Sequence, residues 1–259
     1  METCTLSVVG SNPSGILNNM ENLQLQWSVK DLRLDVDAVL RGQGADPAVI
    51  RDRKPVLADI AARALEMGKE LLSPQVFMRE LKVSSFKHQK LTLEDGLSLT
   101  GNWITSQLAP TESVFAILCT IGDGIEKEAQ KQLDADMLLG FALDGVGSAG
   151  VEALAQLVCR NIEEKAVQAD QRTTVPFSPG MINWSVDEGQ PFIFDMLASV
   201  NDVVTLSPSL MMSPRKSLSM LVGVGRQLDE KGTTCDYCAM QGTCKYRQYG
   251  GHVQAWSKA

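Results

Sequence analysis

The chain has only two histidines, His88 and His252, in 259 residues. With His88 in a polar stretch, no constellation stands out of the kind that general acid–base catalysis uses near neutral pH. An excess of positive charge is also missing: 24 Lys and Arg against 31 Asp and Glu leave a net charge of -7 and a pI near 5.0. A nucleic-acid partner is not expected, because phosphate binding draws on a basic surface. The sequence has no run of the ~18 consecutive apolar residues that a membrane span needs. Its first residues, METCTLSVVGSNPSG, carry neither the basic region nor the long apolar core of a secretory signal. The expectation is a cytoplasmic protein with no membrane partner. Internal repeats and low-complexity tracts are absent too.

What is present starts with ordinary globular composition, 44% hydrophobic and 21% charged, in a length that suits one large domain or a domain with an appended module. Six cysteines occur, and half of them fall within TCDYCAMQGTCKYR, residues 234–247. Cys235, Cys238 and Cys244 are spaced C-x2-C-x5-C. Two cysteines separated by two residues can place both thiolates on one metal centre, because a tight turn carries them to the same side. Gly242 relaxes the backbone between the second and third sulfur. In a reducing compartment such a cluster points to metal before disulfide, with buried or unpaired thiols as the plainer alternative. A fourth ligand would come from Cys4, Cys119, Cys159 or His252, although Cys119 and Cys159 sit in apolar runs that suit a core.

Periodicity organises the rest. Residues 1–30, rich in Asn, Ser and Gly, read as an irregular arm. From Val56 to Leu72 the apolar residues follow helical spacing. Residues 81–86 and 91–101 alternate, with Asp95-Gly96 as a hairpin signal. Ser113–Ile121 is nearly all apolar, as expected of a strand covered on both faces. Ile125–Leu133 reads as a short helix, and Asp136 to about Gln168 as the longest one. Gly145, Gly147 and Gly150 interrupt that long helix and make sense where another backbone or a ligand approaches closely; they lack the context of a dinucleotide loop. Asp144, in the same helix, is expected to bond a neighbouring backbone or to meet a ligand loop. Residues 171–184 read as loop, with Gln190 and Pro191 in the first turn of a helix that ends near Ser199. Strand candidates follow at 203–207, 209–213 and 217–225, and a polar linker at 229–234. The order does not alternate strictly, so an α+β domain with a largely antiparallel sheet is expected instead of a doubly wound one.

Two segments carry a family resemblance. FSPGMINW (177–184) and VTLSPSLMMSPRKSLSMLVGVG (204–225) resemble the reactivation (activation) domain of cobalamin-dependent methionine synthase. Thr205, Leu206, Ser209, Met212, Pro214, Ser217 and Ser219 fall on that family's L-T-x-S-x-x-M-x-P-x-x-S-V-S-G strand pair. The similarity runs from about residue 31 to 230. It implies a C-shaped α+β domain around a twisted, mainly antiparallel sheet with flanking helices. The chain then divides into an arm (1–30), the activation-like domain (31–230) and a cysteine module with its tail (231–259).

The resemblance also implies a ligand and a partner. Such domains bind S-adenosylmethionine and present its methyl group to a corrinoid cofactor, cobalamin, held by a partner module. That places cofactor contacts at Ser178, Pro179, Gly180, Met181, Met212, Pro214 and Ser217, and makes a corrinoid protein or cobalamin-dependent methyltransferase the expected partner. Arg215 and Lys216 read as an exposed positive tip suited to an acidic partner. Two departures matter: Pro176 stands where the family's loop arginine would be, and Met181 where its tyrosine would be. Proline offers no donor to a ligand carboxylate, and Arg172 lies four residues earlier. Weight therefore moves from methyl donation to electron delivery, with Cys235, Cys238 and Cys244 holding a cluster of the [4Fe-4S] type. Such clusters reach potentials as low as about -700 mV. Zinc held by the same cysteines and His252, in a non-catalytic corrinoid-binding scaffold, is the competing reading.

Overall fold

A computed structural model describes residues 7–9, 22–229, 232–238 and 242, with the backbone alone at 7–9 and 22–26. The chain runs β1 (Ser7–Val9), β2 (Asn22–Gln26), a 3-10 turn (Val29–Leu32), α1 (Val36–Gly42), α2 (Pro47–Arg53), α3 (Pro55–Lys69) and β3 (Gln75–Lys87). It continues through β4 (Lys90–Leu93), β5 (Ser98–Thr100), α4 (Asn102–Leu108), β6 (Ser113–Thr120), α5 (Gly124–Ala135) and α6 (Met137–Gln168). The last elements are β7 (Arg172–Thr173), α7 (Val186–Leu197), β8 (Thr205–Leu206), β9 (Met212–Ser213), β10 (Ser217–Gly225) and a 3-10 turn at Thr234–Tyr237.

The uniform apolar run of β6 is the centre of the sheet, and all eight of its residues are buried. Its neighbours are β3 and β10, both antiparallel, in the order β1-β2-β3-β6-β10-β7. Only β1 and β2 pair in parallel among these strands. Because side chains alternate along a strand, β6 serves two cores. Phe115, Ile117 and Cys119 join Val76, Met78, Met220, Val222 and Val224 under α1, α3, α5 and α6. Val114, Ala116 and Leu118 join Phe77, Leu81 and Leu221 under α4, α7 and the β4–β5 hairpin. The result is the expected α+β domain, a curled, mainly antiparallel sheet with flanking helices.

The long helix is continuous through its glycines. A Cβ on Gly42 would lie 2.5 Å from the carbonyl oxygen of Gly145, so the backbones of α1 and α6 touch where no side chain fits. Helix α6 is long and apolar enough by composition to cross a membrane, yet 61% of its most apolar window is buried inside this domain, where it is the core helix of one layer. The Asp95-Gly96 hairpin also forms: Asp95 Oδ1 accepts from Leu97 N–H at 3.0 Å, and Gly96 has φ 91°. Arg79 ties this hairpin to α7, since its Nη1 lies 3.0 Å from Asp95 Oδ2 and donates to the Met196 carbonyl at 3.1 Å.

Two expectations are corrected. The segment read as an irregular arm contributes β1 and β2, and NLQLQ in β2 pairs with β3 from Asn22↔Arg79 to Gln26↔Gln75. Pro191 is not in the first turn of its helix. Ser185 caps α7, its Oγ accepting from Glu188 N–H at 3.3 Å, so the helix starts at Val186 and Pro191 lies inside it.

Candidate functional site

The loop after β7 is held by β10. Phe177 and Leu221 exchange both backbone hydrogen bonds, at 2.9 and 2.8 Å. Beyond Phe177 the chain folds onto itself: Met181 N–H donates to Ser178 O at 3.2 Å, Trp184 N–H to Met181 O at 3.1 Å, and Gly180 N–H to Trp184 O at 2.8 Å. Gly180 has φ 95°, a conformation that L side chains rarely adopt, and Asn183 has φ 61°. Trp184 anchors the loop from below. It is 1% exposed, and a Cβ on Gly189 of α7 would meet its Cε2 and Cζ2 at 2.7 Å and Pro179 Cγ at 2.8 Å. Its indole Nε1 is buried and has no hydrogen-bond partner among the described residues. A buried donor without an acceptor costs about 1–3 kcal/mol.

The predicted contact residues divide into two groups. Ser178, Pro179 and Met181 are half-buried and Gly180 is exposed, all within the loop. Met181 and Met212 both pack against the second core, which brings the loop and the β8–β9 hairpin to one face of the sheet. Pro214 and Ser217, in contrast, close on each other. The Ser217 hydroxyl lies 2.8 Å from the Pro214 carbonyl oxygen and 2.9 Å from Thr120 Oγ1, and Ser217 is buried. Ser219 donates to Gln190 Oε1 at 2.8 Å, fixing α7 on β10. The peptide bond between Ser213 and Pro214 is cis.

Two side chains, those of Lys216 and Asp144, meet other partners than expected. Lys216 is no exposed tip: its side chain is 15% exposed, and its Nζ sits 2.8 Å from Asp144 Oδ1 and 3.0 Å from Ser148 Oγ. Its stem crosses α6 where Gly147 leaves room, within about 3.1 Å of an added Cβ. Its own N–H donates to Glu126 Oε1 at 2.8 Å. Asp144 accordingly meets a lysine, not a backbone group or the loop. Arg215 is exposed, as expected. Arg172 cannot replace the missing loop arginine. Its Nη1 donates to the Leu228 carbonyl at 3.1 Å, and it stands opposite Gly225, four residues along β10 from Leu221, the partner of Phe177.

Cys235 and Cys238 stand at the ends of one turn. Thr233 and Asp236 form its capping box, with Thr233 N–H donating to Asp236 Oδ2 at 2.7 Å, and Cys238 N–H donates to Cys235 O at 3.3 Å. With about three residues per turn, positions three apart come to the same side, which suits two thiolates on one metal. Cys235 is buried and Cys238 half-buried. Cys244, His252 and Cys4 lie outside the described residues, and among the described residues no group of three potential ligands gathers. Cys119 and Cys159 belong to the first core, on the opposite side of the sheet from the face that Tyr237 joins, so neither completes this site. Burial, and then the neighbouring Cys159 and Glu152, push the Cys119 thiol well above its usual pKa. The Cys159 thiol lies 3.6 Å from Met220 Sδ.

Sequence reasoning missed Tyr237, which lies between the two cysteines. Its ring is 5.7 Å from that of Trp103 and 5.6 Å from that of Phe177, which are 5.5 Å from each other. Its carbonyl accepts from Ile182 N–H at 3.1 Å. In a chain only 5% aromatic, a tyrosine inside C-x2-C is the one signal that marked this contact.

This architecture, a helix-flanked antiparallel half-barrel with a loop and hairpin on one face, is a reactivation-domain-like fold. In particular, it is similar to the crystal structure of the MetH reactivation domain bound to AdoHcy, with a TM-score of 0.64 and 13% identity, over 82% of this chain and 81% of that one. At that identity the likeness concerns the fold. No family model matches the chain, and no curated protein does.

Proposed function

We propose that this chain is an accessory protein of a cytoplasmic corrinoid protein or cobalamin-dependent methyltransferase, and that it delivers the electron that returns cob(II)alamin to its nucleophilic cob(I) state. The observation that carries this reading is the seat of the Cys235–Cys238 turn on the Gly180 loop, within a fold similar to a reactivation domain. Cys235, Cys238 and, from the sequence, Cys244 would hold an iron-sulfur cluster; residues 231–259 then form a metal-holding extension of the 31–230 domain. Such a cluster supplies one electron at low potential. The chain's own residues bury Cys235, hold the second thiol on the same turn and keep both beside the loop. Pro176 and Met181, in place of an arginine and a tyrosine, leave that loop without two groups suited to gripping a ligand carboxylate.

The test uses the full chain, loaded anaerobically with iron and sulfide, reduced and freed of excess reductant. The probe is cob(II)inamide, which lacks the lower base and so resembles a base-off corrinoid. One Co(I) formed per reduced chain, lost in Cys238→Ala, is the expected result. A loaded and reduced chain that leaves the cobalt as Co(II) overturns the proposal.

One observation favours a second reading, in which the loop binds S-adenosylmethionine or its product. The unpartnered Trp184 Nε1 lies in the loop that Gly180 shapes, and the similar solved domain is bound to AdoHcy. Calorimetry decides: no heat of binding with millimolar S-adenosylmethionine removes this reading. A chain that holds zinc, transfers no electron and still binds a corrinoid protein would be the scaffold instead.

A further inference from the structure

The loop Ser178–Trp184 satisfies three of its backbone donors from within, those of Gly180, Met181 and Trp184. The Ile182 N–H is different, because its acceptor is the carbonyl of Tyr237 on the cysteine turn. The same residue seats its ring against Trp103 of α4 and Phe177 at the root of the loop. Tyr237 lies two residues after Cys235 and one before Cys238, so the peptide that joins the two thiols is also the peptide that grips the loop. Anything that draws both thiols onto one centre fixes the backbone of Tyr237. The capping box of Thr233 and Asp236 pre-forms the turn, so little further ordering is needed for it to act.

We infer that the Thr233–Cys238 turn is a strap across the ligand loop, which makes thiol ligation at Cys235 and Cys238 and occupancy of the Ser178–Trp184 loop one linked equilibrium. The inference rests on the proposed reading of the cysteines as a metal site and of the loop as a ligand site. Ligation holds Tyr237 in place, which keeps Ile182 bonded and the loop in its bound shape, so a ligand of the loop binds more tightly to the ligated chain. By reciprocity the ligand tightens metal binding by the same factor. A chain that has lost its metal would therefore hold the loop's ligand more weakly, by that same factor.

The experiment uses the full chain with Zn2+, a redox-inert probe of the thiols, and S-adenosylhomocysteine as the probe of the loop. Amide hydrogen exchange at Ile182 is measured with and without bound Zn2+, and S-adenosylhomocysteine affinity is measured by calorimetry in the same two states. Zn2+ is expected to slow exchange at Ile182 and to tighten S-adenosylhomocysteine binding, each by about 5-fold or more. Tyr237→Phe keeps the ring packing and the carbonyl and should preserve both effects. Tyr237→Ala keeps the carbonyl but removes the ring that seats the turn on Trp103 and Phe177, so ligated thiols no longer aim that carbonyl at Ile182; it should still bind Zn2+ and lose most of both effects. The same Ile182 exchange rate with and without bound Zn2+ in the native chain overturns the strap, and so does failure of Zn2+ to bind the thiols. If S-adenosylhomocysteine does not bind while Zn2+ still slows Ile182, the strap stands and the loop's assumed ligand class is what fails.

Discussion

Replacing Gly189 with alanine tests how the candidate loop is held. The new Cβ would lie 2.7 Å from two ring carbons of Trp184 and 2.8 Å from Pro179 Cγ. All three are atoms of rigid rings, and carbon contacts settle near about 3.5 Å, so the loop or α7 must move by about 0.8 Å. Trp184 is 1% exposed, so the strain falls on buried, packed atoms. Overpacking of this kind costs about 1–3 kcal/mol. The movement pulls on the bond from Gly180 N–H to the Trp184 carbonyl, so the loss should be felt within Ser178–Trp184 before the sheet. Urea denaturation of Gly189→Ala is expected to give a lower midpoint at unchanged slope. Amide exchange should speed up at Gly180 and Trp184 and remain unchanged in β6. Stability within about 0.3 kcal/mol of the native chain, with unchanged exchange at Gly180, would refute the view that Gly189 and Trp184 jointly set the loop.

Ser219→Ala leaves the buried Oε1 of Gln190 without its donor and should cost about 1–3 kcal/mol, most of it recovered in Ser219→Ala/Gln190→Leu; denaturation in which the double variant falls as far as the sum of both singles would contradict this. A double-mutant cycle of Lys216→Met and Asp144→Asn should return a coupling of about 0.5–1 kcal/mol that shrinks with added salt, since Asp144 is 46% exposed; zero coupling would deny the pair any role in holding β10 on α6. Lys165 has a buried Nζ with no partner among the described residues, and burial lowers its pKa. The unfolded chain then holds that proton more firmly, so the penalty is complete below the folded pKa and fades as pH rises toward the ordinary lysine value of about 10.4. Calorimetric scans of Lys165→Met should accordingly show a higher Tm than the native chain at pH 7 and a smaller difference at pH 10; a smaller difference at pH 7 than at pH 10 would reverse the sign and reject the reasoning.

Elements whose pattern matches their burial were legible in the sequence. Strand β6 is buried on both faces and reads as a continuous apolar run, and α6 keeps its helical spacing through 32 residues. The glycines of α6 announced a close approach, but not that its partner would be Gly42 of α1, about a hundred residues earlier. Short edge strands were not legible: NLQLQ alternates over five residues, too few to stand out from the Asn- and Ser-rich chain around it. Lys216 was misplaced because a lysine beside an arginine after a proline looks like a turn, and nothing local shows that Asp144 and Ser148 wait across a gap left by Gly147. At the site, the loop and hairpin were found by their resemblance to a family. The meeting of Tyr237 with Ile182 depends on tertiary contacts between residues 55 apart and has no periodic signature.

The proposed electron delivery requires that the C-x2-C-x5-C segment hold an iron-sulfur cluster beside the Ser178–Trp184 loop. Its most direct test is iron and acid-labile sulfide analysis, with an ultraviolet-visible spectrum, of the full chain made without oxygen, beside Cys238→Ala. A coloured protein with iron and sulfide in equal amounts, lost on that substitution, is the predicted result. A colourless protein without iron or sulfide, or one carrying zinc alone, contradicts it.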